Sequence, residues 1–277
     1  MLVVLPFAAA GIVLETRWWT VNEPRVAIWT VGLSLLFALV AWKTHSATPA
    51  AAIAGAAITA SLMFSTATVP YEPWRTALVP VLTLLLLASL ATRMGRRGKE
   101  RLRIAELRQG RAASQVAANL GIAALVSDGL VQSWLIDKPW FSRATFAPTL
   151  LFAIGLAALA EAAADTVSSE VGQVLGGRPR MITTLRTVEP GADGAVSLKG
   201  TLAGVAAAAI VAGAGAWALQ GGREMFWIAA ASGVFGLFCD SLLGATLERR
   251  GWLNNDAVNF LSTASAAGFA LGMLTIH

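Results

Sequence analysis

The sequence predicts an all-α fold, a polytopic helical bundle crossing a membrane about nine times, and three observations carry that expectation. Apolar residues make up 56% of the 277-residue chain and charged residues only 13%, against about 25% charged in an ordinary soluble domain. Apolar runs near the roughly 20 residues that cross a bilayer core recur at about 2–19, 26–42, 48–69, 74–92, 112–134, 145–164, 197–219, 224–247 and 256–276. The basic residues, finally, divide unequally between alternate connections.

Taken in order, the first run is the weakest because Glu15 and Arg17 interrupt it, so the expected count is eight to nine. No basic residue precedes it, and we read it as a retained helix rather than a leader. The fourth run contains Pro80, expected to kink or loosen its helix. The fifth carries Gln115, Asn119 and Asp128. Trp18, Trp19, Trp29, Trp42, Trp74, Trp134, Trp140 and Trp252 fall near run ends, as an interfacial aromatic belt requires. Alanine and glycine crowd the runs, as in AAAIAGAAITA at 50–60 and GTLAG at 200–204, where small side chains let helix backbones approach. One membrane domain, 1–277, accounts for the chain, with no room for a soluble one.

Nine crossings put the loops at 43–47, 93–111, 165–196 and 248–255 on one side, and with Lys199 these hold 15 of the 21 Lys and Arg residues. Arg17, Arg25, Arg75, Lys138, Arg143 and Arg223 fall on the other. The positive-inside rule makes the first side cytoplasmic, as expected of an integral protein of a bacterial cytoplasmic membrane. The net charge of +5 and a pI near 10.1 come from short loops between apolar runs, where they meet anionic head groups. Membrane lipid, not nucleic acid, is the expected partner. A lone Cys239 excludes a disulfide framework or thiolate cluster. His45 and His277 are too isolated for a zinc site or a His-based triad.

The longest polar interruption, 165–200, reads as a cytoplasmic phosphate and metal loop, and 93–111 as a basic cytoplasmic loop. Asp165, Ser169 and Glu170 form D-x-x-x-S-E, with Asp165 and Ser169 on one helix face and Glu161 one turn earlier. Grouped hard oxygens suit Mg²⁺, which takes one or two carboxylates plus substrate phosphates; alternatively, the acids neutralise Arg178 and Arg180. Gly176, Gly177, Arg178, Arg180, Thr183 and Thr184 follow, paired donors and hydroxyls able to cradle phosphate. No GxxxxGK[ST] occurs, and a plain basic turn is the other reading. Gly191, Asp193 and Gly194 would admit a close ligand, with Ser197 and Gly200 opening a helix whose amides face any anion. Asp240 and Ser241 lie inside the eighth run, where a carboxylate is costly unless paired, wetted or metal-bound. Asn254 or Asn255 is a helix cap, or Asn255 and Asn259 present two amides on one face beside Asp256. Arg111, Gln115 and Asn119 share a helical face and could reach a phosphate.

With those residues in view, the chain resembles the DUF92 family of membrane proteins, which includes plant phytyl-phosphate kinase and animal transmembrane protein 19. DTVSSEVG at 165–172, PRMITT at 179–184, PGADGAVSLKGTLAG at 190–204, DSLLGA at 240–245, NNDAVNF at 254–260 and RAASQVAANLG at 111–121 carry the resemblance. More distantly the pattern is similar to dolichol kinase, phytol kinase and CDP-archaeol synthase. Two departures stand out: Ser168 replaces a frequent alanine, and a short ERRGWL replaces the longer insert of animal relatives.

The resemblance implies transfer of the γ-phosphate of CTP, or another nucleoside triphosphate, to an isoprenoid monophosphate. On this reading Asp165, Glu170, Asp240 and Asp256 share Mg²⁺. Arg178, Arg180, Thr183 and Thr184 hold nucleotide phosphates, with Ser169, Gly191, Asp193, Gly194, Ser197 and Ser241 around them. Arg111, Gln115, Asn119, Asn255 and Asn259 orient the acceptor phosphate or the ribose. A lipid cytidylyltransferase, and a transporter or flippase using intramembrane acids as a relay, are the rival readings. A homo-oligomer is compatible with all three.

Overall fold

The computed structural model describes residues 4–94, 110–138 and 148–276. Most of the basic loop expected at 93–111, together with Trp140 and Arg143, therefore lies outside the described residues. Ten α-helices follow one another: α1 (Val4–Asn22), α2 (Pro24–Lys43), α3 (Pro49–Ser65), α4 (Leu78–Arg93), α5 (Ala113–Ser127), α6 (Gly129–Ile136), α7 (Phe152–Leu175), α8 (Leu198–Ala218), α9 (Gly222–Leu243) and α10 (Asn255–Ile276).

Local chemistry sets several of their starts. Pro24 and Pro49 open α2 and α3, where a missing N–H costs nothing. The Thr48 hydroxyl accepts from Ala51 N at 3.3 Å, Ser197 from Gly200 N at 3.1 Å and Asn254 Oδ1 from Ala257 N at 2.9 Å. Asn254, rather than Asn255, is thus the cap of α10. Pro80 falls in the first turn of α4, so the kink expected there does not arise: the residue has no preceding helical turn to disrupt. The fifth run, by contrast, breaks. Asp128 ends α5 and caps α6 by accepting from Leu130 N at 2.9 Å, and the two helices meet at a bend of 55°.

Five helices are long and apolar enough to span a bilayer, six when the bent α5–α6 pair counts as one. The nine expected runs meet nine helical segments when α5 and α6 count as one, but only five or six of these are of full spanning length and apolarity among the described residues, so a count of nine spans is not confirmed. The apolar helices α3 and α4 are shorter, at 17 and 16 residues, near the lower end of the roughly 17–25 that cross a bilayer core. Glu15 and Arg17 lower the apolar content of α1.

At the centre stands α7, packed against α4, α5, α8, α9 and α10. Its Ala153, Ala157, Ala158, Ala160, Ala163 and Ala164 are fully buried, which explains its composition: only a slender helix can be surrounded on every side. Helices α1, α2 and α3 pack together and join the remainder chiefly through α5. Glycines close the main contacts. A Cβ on Gly204 of α8 would lie 2.8 Å from Ala164 O and 2.9 Å from Ser168 Cβ. One on Gly236 of α9 would strike Glu161 Cγ and lie 2.9 Å from Ala266 Cβ.

Gly204→Val and Gly236→Val should therefore each destabilise the protein by about 1–3 kcal/mol through overpacking. Gly213→Ala, whose Cβ would meet only Phe226 at 3.8 Å, should be tolerated. Thermal unfolding in detergent, followed by the loss of the monodisperse species, checks this; equal midpoints for all three variants would refute it.

Candidate active site at the loop end of the bundle

Three acids meet between the central helices. Glu161 and Asp165 stand one turn apart on α7, and Asp240 faces them from α9. The Asp165 and Asp240 carboxyl groups lie close enough to act on each other, and Glu161 lies beside Ser262 of α10. Glu161 is 1% exposed. Asp240 Oδ1 and Glu161 Oε1 are buried with no hydrogen-bond partner. Carboxylates brought this near each other repel, and a bound cation would offset that repulsion. The approach that produces it depends on α9 having no side chain at Gly233 and Gly236, where a Cβ would meet Ala160 at 2.9 Å and Glu161 respectively.

Over this cluster folds the 176–197 hairpin. Its strands β1 (Arg180–Met181) and β2 (Ala195–Val196) pair antiparallel, and Ile182 N donates to Gly194 O at 3.1 Å. Gly194, at φ +74°, presses its Cα against Ala245, where any side chain would collide. Ala245 belongs to a π-helical turn, Gly244–Glu248, that prolongs α9. Met181 is buried, and Arg249 Nη1 points at its sulfur at 3.5 Å. Through this contact Glu248 comes near both Asp193 and Asp165.

On the other side of α7, Arg111 is anchored by its backbone. Arg111 N donates to Ser46 O and Thr48 N donates to Arg111 O, both at 3.1 Å. Gly110, at φ +80°, lets the two segments touch, because a Cβ there would lie 2.7 Å from His45 O. Arg111 sits close enough for its positive charge to act on Asp165. It also lines a cavity of about 500 Å³, open on one side, between α2, α3, α4, α5 and α7, whose polar end includes Asn119, Thr166 and Glu170.

The structure thus brings Asp165, Asp240 and Arg111 together, with Asp193 nearby. It turns Glu170 to the cavity, away from the face that carries Glu161 and Asp165. Arg178, Arg180, Thr183, Thr184 and Gly191 lie exposed on the hairpin. Several other singled-out groups have local partners. Ser169 donates to Thr166 O at 3.2 Å, Ser241 to Leu237 O at 3.3 Å, Gln115 Oε1 accepts from Ala112 N at 2.8 Å, and Ser197 caps α8. Asn255 is exposed, Asp256 half-buried, and Asn259 buried with its carbonyl accepting from Ser262 and Thr263. Among the described residues no group of three or more Asp, Glu, His or Cys side chains forms a ready-made metal cage. Glu248 and the cavity had been missed. Glu248 falls eight residues after Asp240 and so on the same helical face, a spacing that could have flagged it.

Comparison with known proteins agrees with this picture of a membrane bundle. An uncharacterised membrane protein of Methanocaldococcus jannaschii is 41% identical over 119 residues, covering 43% of this chain and 49% of that protein. An uncharacterised membrane protein of Synechocystis is 37% identical over 205 residues, 72% of this chain and 74% of its own. The chloroplastic protein VTE6 of Arabidopsis thaliana is 28% identical over 192 residues, 68% of this chain and 55% of its own. This chain thus spans about half the length of the archaeal and plant relatives. No solved structure matches it. The family profile described as integral membrane protein DUF92 matches residues 32–267, and the chain belongs to that family.

Proposed function

We propose that the protein is a prenyl-phosphate kinase of the membrane, moving the γ-phosphoryl group of a nucleoside triphosphate, CTP in the first instance, to an isoprenoid monophosphate. One observation carries the reading: Arg111 is close enough to Asp165 for its charge to act there, and it also lines a cavity walled largely by apolar helices. A substrate with a phosphate head and a hydrocarbon tail has its two halves matched by these two surroundings. Membership of the DUF92 family, whose resemblance implied a phytyl-phosphate kinase, supports the same class.

Phosphoryl transfer asks for alignment and charge neutralisation more than covalent chemistry. An oxygen of the acceptor phosphate attacks the γ-phosphorus; the bond to the β,γ-bridging oxygen breaks, and the nucleoside diphosphate leaves. The acceptor is already anionic at neutral pH, so no strong base is needed. Arg111 and Asn119 orient the acceptor phosphate at the end of the cavity. Arg178, Arg180, Thr183 and Thr184, exposed on the hairpin beside the acids, gather the nucleotide phosphates. Asp165 and Asp240 are the residues that would hold Mg²⁺, which would supply neutralisation of the triphosphate charge. The hard-oxygen donor set and the unpartnered Asp240 Oδ1 fit such an ion. The hairpin, the Ser46–Arg111 contact and Arg93 share one end of the bundle, and we place that end at the cytoplasmic face, where soluble nucleotide is available.

Detergent-purified protein incubated with phytyl or geranylgeranyl monophosphate, Mg²⁺ and each nucleotide in turn should yield the diphosphate by mass spectrometry; absence of product with every nucleotide would end the proposal. Asp165→Asn and Asp240→Asn should each cut turnover by at least about a hundredfold, the scale of losing one preorganised charge-stabilising group, with little change in unfolding temperature. Full turnover by both would remove them from the site. Label from γ-labelled CTP should enter the lipid product, whereas incorporation from α-labelled CTP would establish a cytidylyltransferase instead.

A further inference from the structure

We infer that the cavity between α2, α3, α4, α5 and α7 is the seat of the substrate's single isoprenoid tail, and that Gly55 and Phe37 set the longest chain it accepts. The inference rests on the proposed phosphate chemistry and assigns a task to the N-terminal helices, whose motifs specify none.

The cavity has two chemically distinct ends. Thr44, His45, Ser46, Arg93, Arg111 and Glu170 gather at the end shared with the acids. From there the lining turns apolar. On α7 it runs from Glu170 back through Thr166 to Ala162, eight residues or about 12 Å at the α-helical rise. On α4 it runs from Arg93 down to Leu82, and on α3 it ends at Gly55. A cationic mouth with a largely hydrocarbon-lined groove complements an anionic head carrying one chain. About 500 Å³ lies in the range of a pocket enclosing one small-molecule ligand, and a two-chain phospholipid is a poorer match.

Gly55 is buried in α3 and faces the cavity beside two other lining side chains. A Cβ there would lie 3.7 Å from Phe37 Cε1 and 3.9 Å from Val116 Cγ1, ordinary contact distances. Alanine therefore fits with nothing displaced, whereas a phenyl ring would have to project into the cavity. Phe37, across from it on α2, is the complementary lever, since truncating it opens the same space. These two positions touch neither the paired acids nor Arg111, so they act on tail length without altering the chemistry at the head.

The test uses full-length protein in detergent with geranyl, farnesyl, geranylgeranyl and phytyl monophosphates, measuring binding by thermal shift and turnover by mass spectrometry. Gly55→Phe should weaken the longest chains by at least about tenfold, the loss expected from two or more unburied methylene groups, while geranyl monophosphate binds as it does to the parent protein. Gly55→Ala should match the parent. Phe37→Ala should shift preference toward longer chains, and it decides the matter should Gly55→Phe not fold. A diazirine placed at the tail end of geranylgeranyl monophosphate should label α2, α3 or α4.

Unchanged chain-length preference in Phe37→Ala, or in a folded Gly55→Phe, would overturn the assignment. So would labelling confined to the outer surface, or a co-purifying diacyl phospholipid that the monophosphates do not displace. The two readings separate cleanly. Turnover with unchanged selectivity keeps the kinase and discards the tail site; altered selectivity of binding with no turnover keeps the tail site and discards the kinase.

Discussion

The approach of the partly buried Asp165 and Asp240 carboxyl groups where α7 and α9 pack together is the constraint from which the rest of the structure follows. Like charges so placed repel strongly in a medium that screens them poorly, so the protein can hold them together only with something to compensate and with backbones that cannot move apart. The second condition is met by glycines. Gly204 seats α8 on α7 and Gly236 seats α9 on it, and the slender alanine faces of α7 allow both neighbours to approach at once. The acids and the small residues are therefore one design: remove the close packing and the carboxyl groups would part.

The two connecting segments that complete the site are both anchored through their backbones. The hairpin rests on the end of α9 through Gly194 and Ala245, and Arg111 is tied into the α2–α3 turn through Ser46 and Thr48. Backbone anchoring fixes where each segment lies, and so where its side chains begin, which suits groups that must be placed against a phosphate. It also gives the N-terminal helices a part in the site. By gripping Arg111 they bring the cavity's polar end to the acids, and their own apolar faces supply the cavity wall.

How much of this could be read from the chain varies with the range of the interaction. A membrane bundle was legible because hydrophobicity is a sum over local residues, and the shared end of the expected loops followed from alternate crossings. Asp165, Asp240 and Arg111 stood out because charge in an apolar run is conspicuous. Glu170 illustrates the opposite case: it looked like a companion of Asp165, yet five residues along a helix turn it about 140° away, and it faces the cavity instead. Pro80 and Asp128 show how one or two residues at a boundary reverse an expectation. A proline at the start of a helix is harmless, and an aspartate within an apolar run ends one helix and caps the next.

Composition and periodicity by themselves determined that this chain is an integral membrane protein, where its polar loops interrupt it, and which acids and arginines were expensive enough to matter. Only the tertiary structure decided which of those groups meet. Contacts such as Asp165 with Asp240, Gly194 with Ala245 and Arg111 with Ser46 join residues far apart in the chain, and a contact of that kind depends on the packing distance and rotation of whole helices. The cavity is the extreme instance: it is formed by the spaces five helices leave between them, and no residue of any one of them announces it.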